Sequence, residues 1–243
     1  MYFNRIALKE DAKAKVASAT PPTFVPTLAY MAILYLISLL ETQLDERFSS
    51  YVEQIYNYAL FGAPWPAFRF STVLRFSALF ILLLRIVSSV FATGYQWYSL
   101  RISRNLSATF SNILDPLNYL LKVVGLKIAI SIFTFLWSLL LVIPGIIASY
   151  SYRQAYYILH DHPEYGIMQC IRESKRLMRG YKFDLFMLDL SFLGWYFLCY
   201  LTLGILFIWK LPYLEVTYAN FYGALTFNRD FGGAPWDVGG SAQ

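Results

Sequence analysis

The chain has 243 residues, of which 58% are hydrophobic, 19% aromatic and only 14% charged, with a net charge of +5. A soluble domain carries about 25% charged residues, so this composition excludes an ordinary water-facing surface and implies a chain solvated by lipid. The charges are sorted by segment rather than gathered on one face, which argues against a nucleic-acid partner.

The first residues, MYFNRIALKEDAKAKVAS, are charged and lack the apolar core of a signal peptide. Residues 4–18 read as a short amphipathic helix, with Ile6, Leu8, Ala12 and Val16 set among Arg5, Lys9, Lys13 and Lys15. Pro21-Pro22 closes this N-terminal tail of residues 1–22. A first span follows from Phe24 to Leu40, near the lower length limit for crossing the hydrocarbon core. Residues 41–70 are polar and end in the turn-rich FGAPWPAF, which predicts an extracytoplasmic hairpin or surface-lying helix. Tyr51, Tyr56, Tyr58, Trp65 and Phe68 suit a membrane interface.

The second span runs from Val73 to Tyr98 and carries Arg85 near its middle. Residues 99–122 return to polar composition, with Arg101, Arg104 and Lys122. The third span, Val123 to Ile143, meets Pro144-Gly145, where a missing donor and a permissive backbone predict a kink or a turn. Ile146 to Leu159 is about 20 Å long at the helical rise. Its Ser149, Ser151, Arg153 and Gln154 predict a return helix buried in protein.

His160-Asp161-His162-Pro163 punctuates the chain before a helix expected over Glu164–Lys182. There Ile167, Ile171, Met178 and Tyr181 share one face, with Arg172, Arg176 and Arg179 opposite. Segment 160–182 therefore reads as an interfacial basic helix. A fifth span covers Asp184 to Phe207, and a sixth runs from Pro212, placed in its first turn, to Phe227. The glycine-rich residues 228–243 read as a flexible tail.

The fold class expected is all-α: a polytopic bundle of six spans in three hairpins, forming one domain over residues 1–227. Most of the 20 Lys and Arg then fall on one side, against Arg47, Arg69, Arg75 and Lys210 on the other. The positive-inside rule places both termini in the cytoplasm of a cell membrane. The return segments also repeat weakly: ATGYQWYSL, SYRQAYYIL and VTYANFYGAL align Trp97-Tyr98, Tyr156-Tyr157 and Phe221-Tyr222. They read either as an ordinary aromatic belt or as three hairpins sharing one packing solution.

The runs IPGIIASYSYRQAYYILHDHPEYG, CIRESKRLMRGYKFDLFMLDLSFLGW and LTLGILFIWKLPYLEVTYANFYGAL resemble the bacterial integral-membrane family known as domain of unknown function 975. The resemblance is strong over residues 118–225 and loose before them. It rests on Ile-Pro-Gly, the Ser174 to Gly180 pattern Ser-x-x-Leu-Met-x-Gly, Leu-Ser-Phe-x-x-Trp and Pro-Tyr in that order. A more distant similarity links the Ile-Pro-Gly element to the membrane domain of some glycerophosphodiester phosphodiesterases. With no catalytic domain of that kind in the chain, that chemistry does not transfer. The resemblance implies a multi-pass bacterial membrane protein without an established activity.

No hydrolase elbow, zincin motif or phosphate-binding glycine loop occurs, so the reading is non-enzymatic, with no metal and no cofactor. His160-x-His162 lacks a third ligand at helical spacing, and Cys170 and Cys199 read as buried structural thiols. Ionisable groups inside spans are costly, so Arg85, Arg153, Asp189 and Glu215 form the candidate buried polar site. Arg153 and Asp189 lie at matching depths, and Glu215 is within the expected reach of Arg75 or Lys210. Arg172, Lys175, Arg176, Arg179 and Lys182 are candidate contacts for anionic lipid headgroups or for a partner. The function expected is binding or transport of a lipid or small amphiphile, with a structural or regulatory subunit of a membrane complex as the alternative.

Overall fold

A computed structural model describes residues 4–61 and 69–231, with side chains between positions 45 and 78 described only in part. All elements among the described residues are helical: α1 (Arg5–Ser18), α2 (Phe24–Phe61), α3 (Arg69–Ser103), the 3₁₀ helix η1 (Phe110–Tyr119), α4 (Leu120–Leu140), α5 (Val142–Tyr152), α6 (Ala155–Asp161), α7 (Ile167–Leu177), α8 (Lys182–Leu190), α9 (Leu193–Leu201) and α10 (Phe207–Phe231). Four stretches among them are long and apolar enough to cross a membrane: Phe24–Leu44, Leu79–Ser103, Phe110–Leu140 and Lys182–Leu201.

Where the sequence reads as one domain over 1–227, the contacts divide the chain into two units: Met1–Leu28 with Val90–Gln243, and Ala29–Ser89. Within the second unit α2 continues as helix through the polar stretch to Phe61, so residues 41–61 form no hairpin. FGAPWPAF lies largely outside the described residues, as does most of the expected tail, whose first residues continue α10 to Phe231.

The larger unit is organised around a reversal between α4 and α5. It occurs at Leu141, in extended conformation (φ −165°, ψ 149°), three residues before the proline expected to cause it. Pro144 sits in the first turn of α5, where no intrahelical donor is required. Gly145 serves packing instead: a Cβ there would lie 2.1 Å from Ser138 Oγ and 2.9 Å from Ser138 Cα. Farther from the turn, Phe133 and Tyr152 meet at 6.2 Å between ring centroids, so α4 and α5 run antiparallel.

The core holds Trp97, Leu126, Tyr157, Cys170, Met178, Phe192 and Tyr222, all nearly or fully buried. At its edge α3 approaches η1 so closely that a Cβ on Gly94 would lie 1.8 Å from the Ile113 carbonyl oxygen. Just past the end of α3, Asn105 lies in the left-handed region (φ 55°), with Leu106 N donating to Arg101 O and Asn105 N to Ile102 O. That closure satisfies the terminal carbonyls of the helix. α1 docks on α10 through buried Leu8 and Ala12 and through Asn220, whose Nδ2 donates to Leu8 O (3.3 Å) and Asp11 Oδ2 (2.9 Å).

Two expected helices are shorter or longer than their pattern. The helix expected over 164–182 occupies only α7, because Gly180 adopts φ 89° and breaks it before α8. Arg179 thus lies in the turn and Lys182 begins α8. The sixth helix starts at Phe207, not at Pro212, which lies inside α10.

Candidate functional site

Spacing of four places Arg153, Tyr157 and Asp161 on one face running from the end of α5 through α6. Spacing of three and four does the same for Glu215, Tyr218 and Tyr222 on α10. The two faces meet. The Arg153 guanidinium lies 4.3 Å from the centroid of the Tyr218 ring, Tyr157 stacks on Tyr222 at 5.1 Å, and Tyr222 Oη donates to Asp161 Oδ2 at 2.9 Å. From Arg153 to Asp161 this seam is about 12 Å long at the helical rise.

Each end is an ion pair. At one, Arg153 Nη1 donates to Asp189 Oδ2 at 2.6 Å, and Tyr150 Oη donates to the same oxygen at 2.8 Å. Both charged side chains are half-buried. Glu215, also half-buried, lies within electrostatic reach of Arg153. At the other end Arg104 grips Asp161 with both nitrogens, Nη1 to Oδ1 at 2.7 Å and Nη2 to Oδ2 at 2.6 Å. His160 Nδ1 also lies 3.1 Å from Oδ1. Burial alone would push the Asp161 carboxyl up, but the bonds from His160, Arg104 and Tyr222 outweigh it and hold the group well below the usual carboxylate range. The same contact raises the Arg104 guanidinium above its ordinary value, against the opposing effect of burial.

The aligned aromatic pairs feed this seam. Trp97, Tyr98, Tyr157, Phe221 and Tyr222 are buried in protein, which overturns the reading of an aromatic belt facing the interface. Trp97 Nε1 donates to the Tyr156 carbonyl at 2.9 Å and its ring meets His160 at 5.0 Å. Sequence reasoning missed Arg104, Tyr150, Tyr218 and Tyr222 as partners of these charged groups; of the four, only Tyr218 and Tyr222 lie within the aromatic repeat.

Of the expected polar site, then, Arg153, Asp189 and Glu215 are brought together, and Arg85 is not. Arg85 is exposed on α3 in the smaller unit, with no ion pair to a described residue. Its position on the helix surface, not its depth along the chain, decides this. Arg75, one expected partner of Glu215, has no described side chain, and the other, Lys210, lies 3.8 Å from the centroid of the Trp195 ring. His160 and His162 each face a separate carboxylate, Asp161 and Glu164, and no group of three or more metal-ligating residues occurs among the described residues.

Basic residues line the outside of α7. Arg172, Lys175, Arg176 and Arg179 are exposed and Lys182 is half-buried, while Cys170, Ile171, Ser174 and Leu177 are buried beneath them. Ser174 Oγ donates to Ser151 O at 2.8 Å, locking α7 onto α5. Arg176 pairs with Glu173 at 2.7 Å; Arg172 has no carboxylate partner among the described residues.

Beside Arg172 an apolar groove of about 680 Å³ opens between α4 and the first turn of α7. Gly125, Ile128, Ile132 and Phe133 form one wall, and Ile167, Met168 and Arg172 the other. Ile128, Ile132 and Met168 are each 52% exposed, so the groove is unfilled by the protein's own side chains. A smaller polar pocket of about 250 Å³ lies over Arg104, Asp161 and Tyr222.

No curated protein and no solved structure matches the chain. The family model described as "Protein of unknown function (DUF975)" matches residues 23–229, all but the N-terminal helix and the last residues. The chain belongs to that family.

Proposed function

We propose that the protein is a non-enzymatic, six-span integral membrane protein that binds a membrane amphiphile. The observation that carries this reading is the groove between α4 and α7: apolar along its length, open to the surface, and bordered by an arginine with no described carboxylate partner. Its volume of about 680 Å³ falls in the range of about 300–1,000 Å³ typical of small-molecule sites. The buried charges support binding over passage, because Arg153 is held by Asp189 and stacked on Tyr218.

Six crossings follow if α5–α6 and α10 join the four apolar stretches. Residues 142–159, which end before the His160-Asp161 pair, reach about 27 Å at the helical rise, close to the thickness of a hydrocarbon core. The antiparallel turn at Leu141 supports this count, since it returns the basic α7 to the side on which α4 begins. Both termini are then cytoplasmic, in keeping with the positive-inside rule.

Two experiments test the reading. Solvent extraction of protein purified in mild detergent should release one amphiphile per chain; a clean apoprotein would refute binding. Single-cysteine labelling should find Ser18 and Lys175 on the same, cytoplasmic side, and labelling from opposite sides would refute the six-span arrangement. The exposed arginines of α7 also fit a soluble partner. That alternative gains ground if Arg172→Glu, Arg176→Glu and Arg179→Glu together release a co-purifying protein.

A further inference from the structure

Resting on the amphiphile-binding reading, we infer that the occupant of the α4–α7 groove is an anionic phospholipid, with one acyl chain along α4 and its headgroup at Arg172. Three observations lead there. From Gly125 to Phe133 the groove wall extends about 12 Å at the helical rise, close to half the ~30 Å hydrocarbon core and so to the depth of one leaflet. Gly125 lets Ile167 of α7 pack directly against α4 at one end of that wall, since a Cβ there would meet Ile167 Cδ1 at 2.5 Å.

Charge complementarity supplies the second observation. Arg172 lies at the groove, with Lys175, Arg176 and Arg179 exposed nearby on the same segment. The carboxylates beside them are already engaged, Glu173 with Arg176 at 2.7 Å and Glu164 with His162 at 3.1 Å. Arg172 remains to meet a phosphate, as basic groups at a membrane surface do. Third, one groove is lined both by apolar residues of α4 and by Arg172 of α7, so an acyl chain and a headgroup phosphate each find a matching partner in it. A second apolar protein helix would leave Arg172 without a phosphate to meet.

The test is native mass spectrometry of the intact protein, delipidated in detergent and titrated with phosphatidylglycerol or phosphatidylcholine of equal chain length. Wild type should retain one phosphatidylglycerol in preference to phosphatidylcholine. Arg172→Gln should weaken retention of the anionic lipid about fivefold, the effect of about 1 kcal/mol for one basic residue, and Arg172→Lys should restore most of it. Ala129→Phe, which fills the groove from α4, should abolish the single-lipid adduct with either headgroup. Equal retention of the two lipids, or an adduct indifferent to both Arg172→Gln and Ala129→Phe, overturns the inference. An unrelated amphiphile that stays bound in those variants would leave the broader reading standing. Absence of any adduct sinks both. Unchanged melting temperatures identify variants that still fold, and Ile132→Phe fills the same groove if Ala129→Phe does not.

Discussion

Replacing Gly94 by alanine tests the packing that joins α3 to η1. The added Cβ would lie 1.8 Å from the Ile113 carbonyl oxygen and 2.7 Å from its carbon. Both are backbone atoms, so no side chain can swing aside, and η1 would have to retreat by more than an ångström. Ile113 is fully buried and Pro116 buried on the same element, so that retreat opens the core. Overpacking ordinarily costs about 1–3 kcal/mol, and a backbone-on-backbone overlap of this depth belongs at the upper end. At about 2–4 °C per kcal/mol for a chain of this size, Gly94→Ala should lower the melting temperature by about 6–12 °C. Gly223→Ala is the control. It lies within α10 with nothing within 4 Å of its ideal Cβ, and alanine should there gain about 0.5–1 kcal/mol of helix stability. Melting of both variants in one detergent decides the matter. If Gly94→Ala melts with or above wild type, the close approach of α3 and η1 is wrong.

Other perturbations follow from the seam and the core. Asp161→Asn should destabilise by about 1.5–3 kcal/mol through loss of charge-assisted bonds to Arg104. Because the folded Asp161 carboxyl is held below its ordinary value, its contribution is complete above about pH 4 and lost as the medium becomes more acid. Wild type should therefore lose stability below that pH more steeply than Asp161→Asn, as thermal melts from pH 7 to pH 3 would register. Trp97→Phe drops the bond to the Tyr156 carbonyl and leaves a cavity where the second ring of the buried indole lay, and should cost about 2–3 kcal/mol in the same assay. Asn220→Leu removes the anchor of α1, so hydrogen exchange should quicken selectively over residues 5–18. Cys170 and Cys199 are fully buried, and both should resist a maleimide until the protein is unfolded.

Periodicity and composition made the helices legible, and charge sorting made the topology arguable, because both are properties of single segments. Breaks were less legible. Ile-Pro-Gly marked the turn after α4 but not its position, since proline is tolerated in a first turn and the chain reversed at Leu141 instead. Gly180 was available in the sequence to end the basic helix early, yet Tyr181 and Lys182 continued its apolar and basic faces past it and suggested continuity. Arg85 shows the opposite limit: depth along a helix was readable, but which side of that helix another element covers was not. The seam was invisible for the same reason. Arg104, Asp161 and Tyr222 are separated by 57 and 61 positions, and only folding makes them neighbours.

The central claim is that an anionic lipid occupies one groove rather than coating every apolar helix. Cross-linking with a phosphatidylglycerol carrying a photoreactive group midway along one acyl chain measures that directly. Labelled peptides should come from residues 125–133 of α4 and from the first turn of α7, and excess unlabelled phosphatidylglycerol should suppress them. Labelling spread evenly over the exposed faces of all the apolar helices, with no suppression by competitor, would contradict the account.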